Sequence, residues 1–561
     1  METTDNPDSS SPQAVSKPEA TSNQSGRSRR TSIFLWIATL LIFAVGLGVR
    51  LYDLTDEPVD FHSTRQLRGA IIARGMYYDM LPDPDPETKE LAVSFWLSTG
   101  QYEPTILENI VARTYLLIGS EQIWVARIYN ILFWMIGGIA LFALSRRMLT
   151  NTQQDETKPS SSTVIWVAAL AALAYYLLLP FGVQASRSFQ PDPGMVMWII
   201  LAVYALYRWS ETLSWKWVIL TGIFSGAAVL TKAVAAYVIA GAAIAIVIYT
   251  LGLAHNRIAS AKKQGSGFLG AVKRILLNPQ VWVMALLMIV PAAIFYSARG
   301  DRATEYFNSW TVSLSHLLLN PETYVRWFSL VESLMGLAVL VLALLGVLIA
   351  RPRNRALLLG IWVGYAIYGL FLPYQMYTHN YYHLQLIPII ALSILPIAEM
   401  TVSSITKQNR LWQALAVVIT TGVIIYTAWI AILPQYSEDN RHERAYWSEI
   451  GEQLPSDGKI LALTQDYGYR LMYYGWRKVI LWPPRGEIKL AKLRGSEKEF
   501  NEYFNKRIEE KNYFLITAFK QFNDQPVLQE TLYERYPIYA EGPGYLIFDL
   551  TQPLEKPSTS P

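Results

Sequence analysis

Long apolar stretches recur along the chain from Ile33 to Leu433, and short polar segments separate them. A helix needs roughly 20 apolar residues to cross the hydrocarbon core of a bilayer, and about eleven stretches approach that length. The pattern therefore predicts a mainly α-helical, polytopic membrane protein. The predicted spans cover residues 33–49, 124–145, 163–183, 193–208, 215–231, 233–252, 281–297, 331–350, 356–373, 383–400 and 411–433.

Positively charged residues lie on one side of these spans. Arginines favour the cytoplasmic side of a membrane, and Arg27, Arg29 and Arg30 directly precede the first span. We therefore predict a cytoplasmic N-terminus, with residues 1–30 as a disordered tail because they contain almost no large apolar groups. Basic residues return after every second span, at Arg146, Arg147, Arg208, Arg257, Lys262, Lys263, Arg351, Arg353, Arg355, Lys407 and Arg410.

This orientation divides the chain into a transmembrane domain over residues 31–435 and an extracytoplasmic domain over residues 440–555. In the second domain, short apolar runs alternate with helical stretches, a pattern typical of a small α/β domain. The runs lie at 459–464, 479–482, 513–517 and 545–548, a helix is predicted over 497–509, and a turn at 541–544 joins the last two strands as a hairpin.

The large first outer loop, residues 51–123, also has a helical pattern. Leu67, Ile71 and Ile72 form an apolar stripe at helical spacing, and a second helix is predicted over residues 106–118. We expect these helices to lie along the membrane surface.

Composition supports the membrane class and excludes others. Of 561 residues, 52% are hydrophobic and only 16% are charged, and no cysteine is available for disulfides or thiolate-bound zinc. The net charge of +4 predicts no nucleic-acid partner, since the basic residues lie largely at span ends. The only acceptor sequence for N-glycosylation, Asn23-Gln24-Ser25, falls in the predicted tail, which favours a bacterial protein in the plasma (inner) membrane.

Polar residues cluster at the outer ends of the spans, where the head group of a membrane-bound substrate would lie. The first loop contains Asp56, Glu57 and Asp60, followed by Arg65 and Arg68. Carboxylates beside arginines suit a general base next to an anionic leaving group. The alternative is a loop with ordinary solvated charges.

Two further candidates lie in short outer turns. Asp192, between two prolines, begins the fourth span, where it either takes part in a site or interacts with the helix dipole. Lys232 lies alone between two apolar spans and either binds phosphate as a mobile point charge or extends to the interface.

A third outer region combines histidines and arginines. His379 and His383 open the tenth span among tyrosines, and Arg299 and Arg302 follow the seventh. Such residues suit the binding of sugar, phosphate or a metal, whereas an interfacial aromatic belt would explain the tyrosines alone.

Ordered short motifs over residues 33–400 resemble the membrane glycosyltransferases of the GT-C class, particularly bacterial relatives of protein O-mannosyltransferases and of the lipid A aminoarabinose transferase. The motifs are Arg50-Leu51-Tyr52, Ala73-Arg74-Gly75-Met76, Tyr102-Glu103-Pro104, Gly119-Ser120-Glu121, Ala126-Arg127, Leu230-Thr231-Lys232 and Tyr381-Tyr382-His383-Leu384 with Pro388.

The resemblance implies inverting transfer of a sugar from a polyprenyl-phosphate donor to a lipid, glycan or protein acceptor at the outer face, among the membrane lipids. It also implies a first-loop carboxylate as general base. The family's acidic pair falls on Arg65-Gln66, so Asp60 is the nearest substitute, with Asp56 and Glu57 behind it. Asp192, the arginines, the lysine and the histidines named above would bind the phosphate or the sugar of the donor.

Several alternatives stay open. The requirement for a divalent metal is not determined by the sequence. A lipid-linked sugar flippase or transporter is a second interpretation, and the missing acidic pair allows a third, a catalytically inactive membrane scaffold.

Overall fold

The structure is a computed structural model that describes residues 22–100, 103–150, 160–254, 268–298, 301–456 and 458–554. Its larger part is a bundle of helices. In chain order these are α1 (Ser22–Leu51), α2 (Ser63–Met80), α3 (Pro86–Ser98), α4 (Ile106–Ile118), α5 (Trp124–Thr150), α6 (Ser162–Leu178), α7 (Pro180–Ser186), α8 (Asp192–Thr212), α9 (Trp215–Thr231), α10 (Ala235–Val247), α11 (Phe268–Leu276), α12 (Pro279–Ser297), α13 (Asp301–Phe307), α14 (Pro321–Met335), α15 (Leu337–Ile349), α16 (Pro352–Phe371), α17 (Pro373–Thr378), α18 (Leu386–Ser393), α19 (Leu395–Ile405) and α20 (Arg410–Ser437).

Shorter helical segments complete the bundle. They are the π-helical turns Ile248–Ala254 and Asn308–Val312 and the 3₁₀ turns Ser315–Leu319 and Asn380–His383. The first helix begins at Ser22, so it overlaps the last nine or so residues of the predicted tail.

The predicted polytopic membrane fold is confirmed. Among the described residues, seven helices are long and apolar enough to cross a membrane, or up to nine if each of two bent pairs counts as one span. The other two predicted spans are also helices, α8 and the 17-residue α9. The total of eleven crossings stays a prediction.

Both bent pairs have a visible cause in the sequence. Pro180 begins α7, where its ring prevents α6 from continuing, and the two helices meet at 57°. Gly336 separates α14 from α15 with a φ of 84°, a conformation that favours glycine, and the axes differ by 98°. The stretch predicted as one span over 331–350 is therefore sharply bent near its start.

Helices α10 and α16 pack through small residues. A Cβ atom added to Gly241 would lie 2.2 Å from the carbonyl oxygen of Gly360, and one added to Gly364 would lie 2.3 Å from that of Tyr237. Close backbone approach of this kind is a common way to join helices in a membrane, where the hydrophobic effect between helices is absent.

We expect Gly241→Ala to destabilise the bundle by about 1–3 kcal/mol, because the added methyl group forces the backbones of α10 and α16 apart. Thermal unfolding in detergent measures the effect. Gly422→Ala is the matched control, since a Cβ atom there meets nothing within 4 Å. Equal melting temperatures for the two variants would refute the tight packing.

The first outer loop folds into a buried layer. The predicted helix over 106–118 is confirmed as α4. Leu67, Ile71 and Ile72 of α2 are at most 1% exposed and share a core with Leu471 of the C-terminal domain. Both faces of α2 are therefore largely covered by other parts of the protein. Its position along the membrane surface stays a prediction.

The C-terminal domain is a five-stranded sheet with helices, as its alternating runs predict. Strand order is β2-β1-β3-β5-β4, with β1 parallel to β2 and β3, and β5 antiparallel to β3 and β4. The predicted terminal hairpin is confirmed. Strands are β1 (Ile460–Leu463), β2 (Ile480–Leu481), β3 (Tyr513–Ile516), β4 (Ile538–Gly542) and β5 (Tyr545–Asp549); helices are α21 (Glu443–Gln453), α22 (Tyr469–Tyr474), α23 (Arg485–Leu493), α24 (Phe500–Ile508), α25 (Phe519–Asn523) and α26 (Pro526–Arg535), with a 3₁₀ turn at Gln465–Gly468.

Candidate functional site

Three of the predicted site residues meet at one point, although they come from distant segments. The carboxylate of Asp192 lies 2.7 Å from Lys232 Nζ and 3.1 Å from Arg65 Nη2. The side chain of Asp192 is 1% exposed, that of Lys232 6% and that of Arg65 20%. The cluster is therefore largely buried and carries a net positive charge, and Arg65 is its most exposed member.

Local sequence explains how two of the three members reach the cluster. Asp192 begins α8 and is followed by Pro193, whose fixed φ suits the first turn of a helix, where a carboxylate also interacts well with the dipole. Lys232 is extended at the end of α9, with φ −158° and ψ 119°. Burial of three charges costs free energy unless they are paired, so this arrangement is typical of a functional site rather than of a stabilising one.

Aromatic rings cover the cations. The guanidinium of Arg65 lies 4.5 Å from the ring centroid of Tyr381, and Lys232 Nζ lies 5.0 Å from Tyr381 and 4.7 Å from Tyr382. Cations at such distances interact favourably with the negative ring face. The predicted aromatic group at residues 381–382 therefore forms one wall of the site.

A histidine that precedes α2 completes this wall. His62 Nε2 is 2.5 Å from Asn380 Oδ1, and its ring packs edge-on against Tyr381. Burial lowers the pKa of His62, and the charge of Arg65 lowers it further, although the Asn380 contact opposes the shift. The net shift favours the neutral imidazole.

Glu103 is a site residue that the sequence reasoning missed. One carboxylate oxygen is 3.8 Å from Arg65 Nη2, and the other is 3.9 Å from Arg68 Nη1. Both distances exceed that of a hydrogen bond, and the side chain of Glu103 is 15% exposed. Its only signal in the sequence was its place in the Tyr102-Glu103-Pro104 motif.

Two of the predicted catalytic carboxylates join the first loop to the C-terminal domain. Asp56 accepts hydrogen bonds of 3.0 and 2.9 Å from the backbone and side chain of Asn440. Glu57 accepts from Arg444 Nε at 3.1 Å and from the Tyr474 hydroxyl at 2.9 Å. Both groups therefore hold the two parts of the protein together.

Asp60 lies in a different buried cluster. It accepts a 2.7 Å hydrogen bond from Gln66 and faces Arg127 at 3.5 Å. Burial by itself would raise the pKa of Asp60, but the charges of Arg127 and Arg187 outweigh it and hold the pKa below its usual value. Gln66 also accepts from the backbone N–H of Phe189, which ties this cluster to the segment before Asp192.

The remaining predicted residues have separate positions. His383 is buried, with Nδ1 2.7 Å from the Tyr365 hydroxyl and Nε2 2.9 Å from the Met376 carbonyl, so both ring nitrogens are engaged inside the bundle. His379 packs against Tyr381, and burial, followed by nearby positive charge, lowers its pKa to about 4. Arg299 lies outside the described residues, and of Arg302 only the backbone, within α13, is described.

Within the described ranges, no group of three histidine or acidic side chains is arranged to hold a metal ion.

Glu108, on α4, is a buried carboxyl group close to this site. Burial raises the pKa of Glu108 to about 7 from an ordinary value of 4.5. Between pH 4.5 and about pH 7, the folded protein keeps a proton on Glu108 that the unfolded chain releases. The free energy of unfolding therefore falls as the pH rises through this range.

Glu108→Gln, which cannot ionise, is therefore expected to raise the free energy of unfolding at pH 8 by roughly 3 kcal/mol, and by much less at pH 5. Melting temperatures at the two pH values measure this difference. Exposed Glu90→Gln is the control. A pH-independent effect of the Glu108 variant would show that its carboxyl group is not the cause.

Comparison with known proteins finds a family model that matches part of the chain and solved structures that share its fold. The family model of the dolichyl-phosphate-mannose-protein mannosyltransferases matches residues 163–277, a segment that contains Asp192 and Lys232. None of the curated protein sequences matches the chain.

Solved structures match almost the whole chain. ArnT from Cupriavidus metallidurans, in the apo state, is 15% identical, with a TM-score of 0.52 over 93% of this chain and 98% of that one. The oligosaccharyltransferase AglB from Archaeoglobus fulgidus, in complex with an inhibitory peptide and a dolichol-phosphate, is 13% identical, with a TM-score of 0.52 over 94% of this chain and 75% of that one. An Archaeoglobus fulgidus oligosaccharyltransferase in complex with Zn and sulfate gives the same score at 13% identity, over 91% and 73%.

ArnT and AglB are glycosyltransferases of the GT-C type. The protein is therefore a multi-pass membrane protein with the GT-C fold, and the resemblance seen in the short motifs is confirmed as a likeness of fold. More specifically, it is similar to ArnT over nearly the full length of both chains.

Proposed function

We propose that the protein is an inverting glycosyltransferase that moves a sugar from a polyprenyl-phosphate donor to an acceptor at the extracytoplasmic face. The observation that carries this proposal is the convergence of Arg65, Asp192 and Lys232 under Tyr381. A guanidinium and an ammonium group are the two side chains that bind phosphate best. The AglB structure that holds a dolichol-phosphate and the family model named for a dolichyl-phosphate sugar support a donor of this class.

The proposed reaction is a single displacement. The acceptor hydroxyl oxygen forms a bond to the phosphate-linked carbon of the sugar, and the bond from that carbon to the phosphate oxygen breaks with its electron pair. Polyprenyl phosphate leaves, and attack from the opposite face inverts the carbon. Arg65 and Lys232 stabilise the charge that develops on the departing phosphate, in surroundings where electrostatic interactions are strong.

A first-loop carboxylate takes the acceptor proton in this scheme. Of the four candidates, Glu103 faces Arg65 at 3.8 Å, whereas Asp56 and Glu57 bind the C-terminal domain and Asp60 faces Arg127. We therefore propose Glu103 as the general base, with Asp60 as the residue to compare it with.

Transfer is tested with purified protein in nanodiscs, a set of polyprenyl-phosphate sugars and a cell-envelope extract as acceptor. Mass spectrometry should detect a glycosylated product together with free polyprenyl phosphate. Movement of the lipid-linked sugar across proteoliposomes without any acceptor would instead favour the flippase. Absence of both, in protein that binds the donor, would favour the inactive scaffold.

Orientation is a further part of the proposal: an N-terminus in the cytoplasm and a C-terminal domain outside the inner membrane. Because the native chain has no cysteine, single cysteines report without background. In intact cells, an impermeant maleimide should label Glu530→Cys, in the C-terminal domain, and should label Gln408→Cys only after lysis. Both positions are exposed. The reverse labelling would overturn the orientation.

A further inference from the structure

A turn of the C-terminal domain has an unusual backbone where it meets the first outer loop. Asp466 and Tyr467 have φ values of 49° and 57°, and Gly468 follows with 78°. Consecutive non-glycine residues in the left-handed region are rare and persist only where the surroundings hold them in place. The contacts of Asp466 identify what holds this turn.

The carboxylate of Asp466 binds the start of α2. Its Oδ1 accepts hydrogen bonds from Ser63 Oγ at 2.5 Å and from Thr64 Oγ1 at 2.8 Å. Its Oδ2 accepts from Arg470 Nε at 2.5 Å, and Arg470 also donates to Glu443 at 2.8 Å. Arg470 therefore holds one oxygen of the Asp466 carboxylate in place, and the other oxygen binds the first turn of α2.

Arg65 is the next residue of that turn. Its backbone N–H donates to the carbonyl of His62, and its side chain reaches Asp192. His62 also has a positive φ, 52°, and is held by Asn380. The turn that carries Arg65 is therefore held from two sides, by the membrane helices through His62 and by the C-terminal domain through Asp466.

We propose that Asp466 is a positioning residue for Arg65, so that the C-terminal domain completes the site within the membrane domain. Asp466 acts through Ser63 and Thr64 and has no contact with the reacting groups. The expected effect of Asp466 on donor binding rests on the proposed function. The effect on α2 itself does not depend on any ligand.

Hydrogen exchange tests the positioning directly. Two variants remove the same contact from opposite sides: Asp466→Ala, and the double variant Ser63→Ala/Thr64→Val, which leaves the strained turn unchanged. Both should increase exchange of the Arg65 and Gln66 amides by about ten-fold or more, because the first turn frays without its partner. Asp524→Ala, which removes a surface ion pair of the same domain, is the control and should leave these amides unchanged. Unchanged exchange in the double variant would overturn the proposal.

Binding of undecaprenyl phosphate tests the consequence for the site. Asp466→Ala should raise the Kd by about ten-fold in the native chain and by less than about two-fold when Arg65 is already alanine, because residues that act as one unit are not additive. Equal effects in both backgrounds would show that Asp466 does not act through Arg65. If the native chain fails to bind the lipid, the proposed function fails, while hydrogen exchange still decides the positioning.

Discussion

Lys232→Met is expected to lower kcat/KM for sugar transfer by about 100-fold or more, because it removes one of the two cations that face the departing phosphate. Methionine is unbranched and only one atom shorter than lysine, so the substitution removes the ammonium group and keeps most of the apolar chain. Asp192 retains its 3.1 Å contact with Arg65, so the buried carboxylate is still paired. Initial rates at varied donor concentration, with melting temperatures to confirm folding, measure the effect.

The matched control for this variant is Lys216→Met, at the opposite end of the same helix, α9. Lys216 is exposed and lies near the ring of Trp217, so its loss should change transfer less than two-fold or so. If Lys232→Met transferred sugar as fast as Lys216→Met, the cation at position 232 would have no part in the reaction.

Glu103→Gln is expected to lower kcat by about 100-fold or more and to leave donor binding nearly unchanged, because a general base acts on the acceptor proton in the transition state. The amide has the same shape but cannot take up a proton. Rates at saturating donor, together with the Kd for undecaprenyl phosphate, separate the two effects.

The variant Asp60→Asn tests whether Glu103 or Asp60, the carboxylate that the sequence favours, is the general base. Since Asp60 faces Arg127 and Arg187 in a separate cluster, we expect its loss to reduce thermal stability more than kcat. A larger loss of kcat for Asp60→Asn than for Glu103→Gln would reverse the assignment and restore Asp60 as the base.

The sequence predicts the general architecture well because the bilayer and the sheet impose strong patterns. Apolar stretches of span length are helices throughout, and the runs around Ile460 and Tyr513 are paired strands. The bend at Gly336 could not be predicted from hydropathy, which records how apolar a segment is but not the direction of its axis.

The candidate site was predictable residue by residue but not as an arrangement. Asp192 and Lys232 each carried a signal, yet their 2.7 Å contact depends on how α8 and α9 pack across 40 positions of sequence. The interface role of Asp56 was even less accessible, because its partner Asn440 lies 384 positions away. Glu103 was missed because its approach to Arg65 is set by the folded loop and not by its neighbours in the chain.

The most direct measurement is a cryo-EM structure of the protein with undecaprenyl phosphate. We expect the phosphate within about 3 Å of Lys232 Nζ and of the Arg65 guanidinium, the distance of a charge-assisted hydrogen bond. Glu103 should face the side of the phosphate from which an acceptor enters. The central claim is that the cluster of Arg65, Asp192 and Lys232 is the donor site. A phosphate bound elsewhere, with no ligand at this cluster, would contradict it.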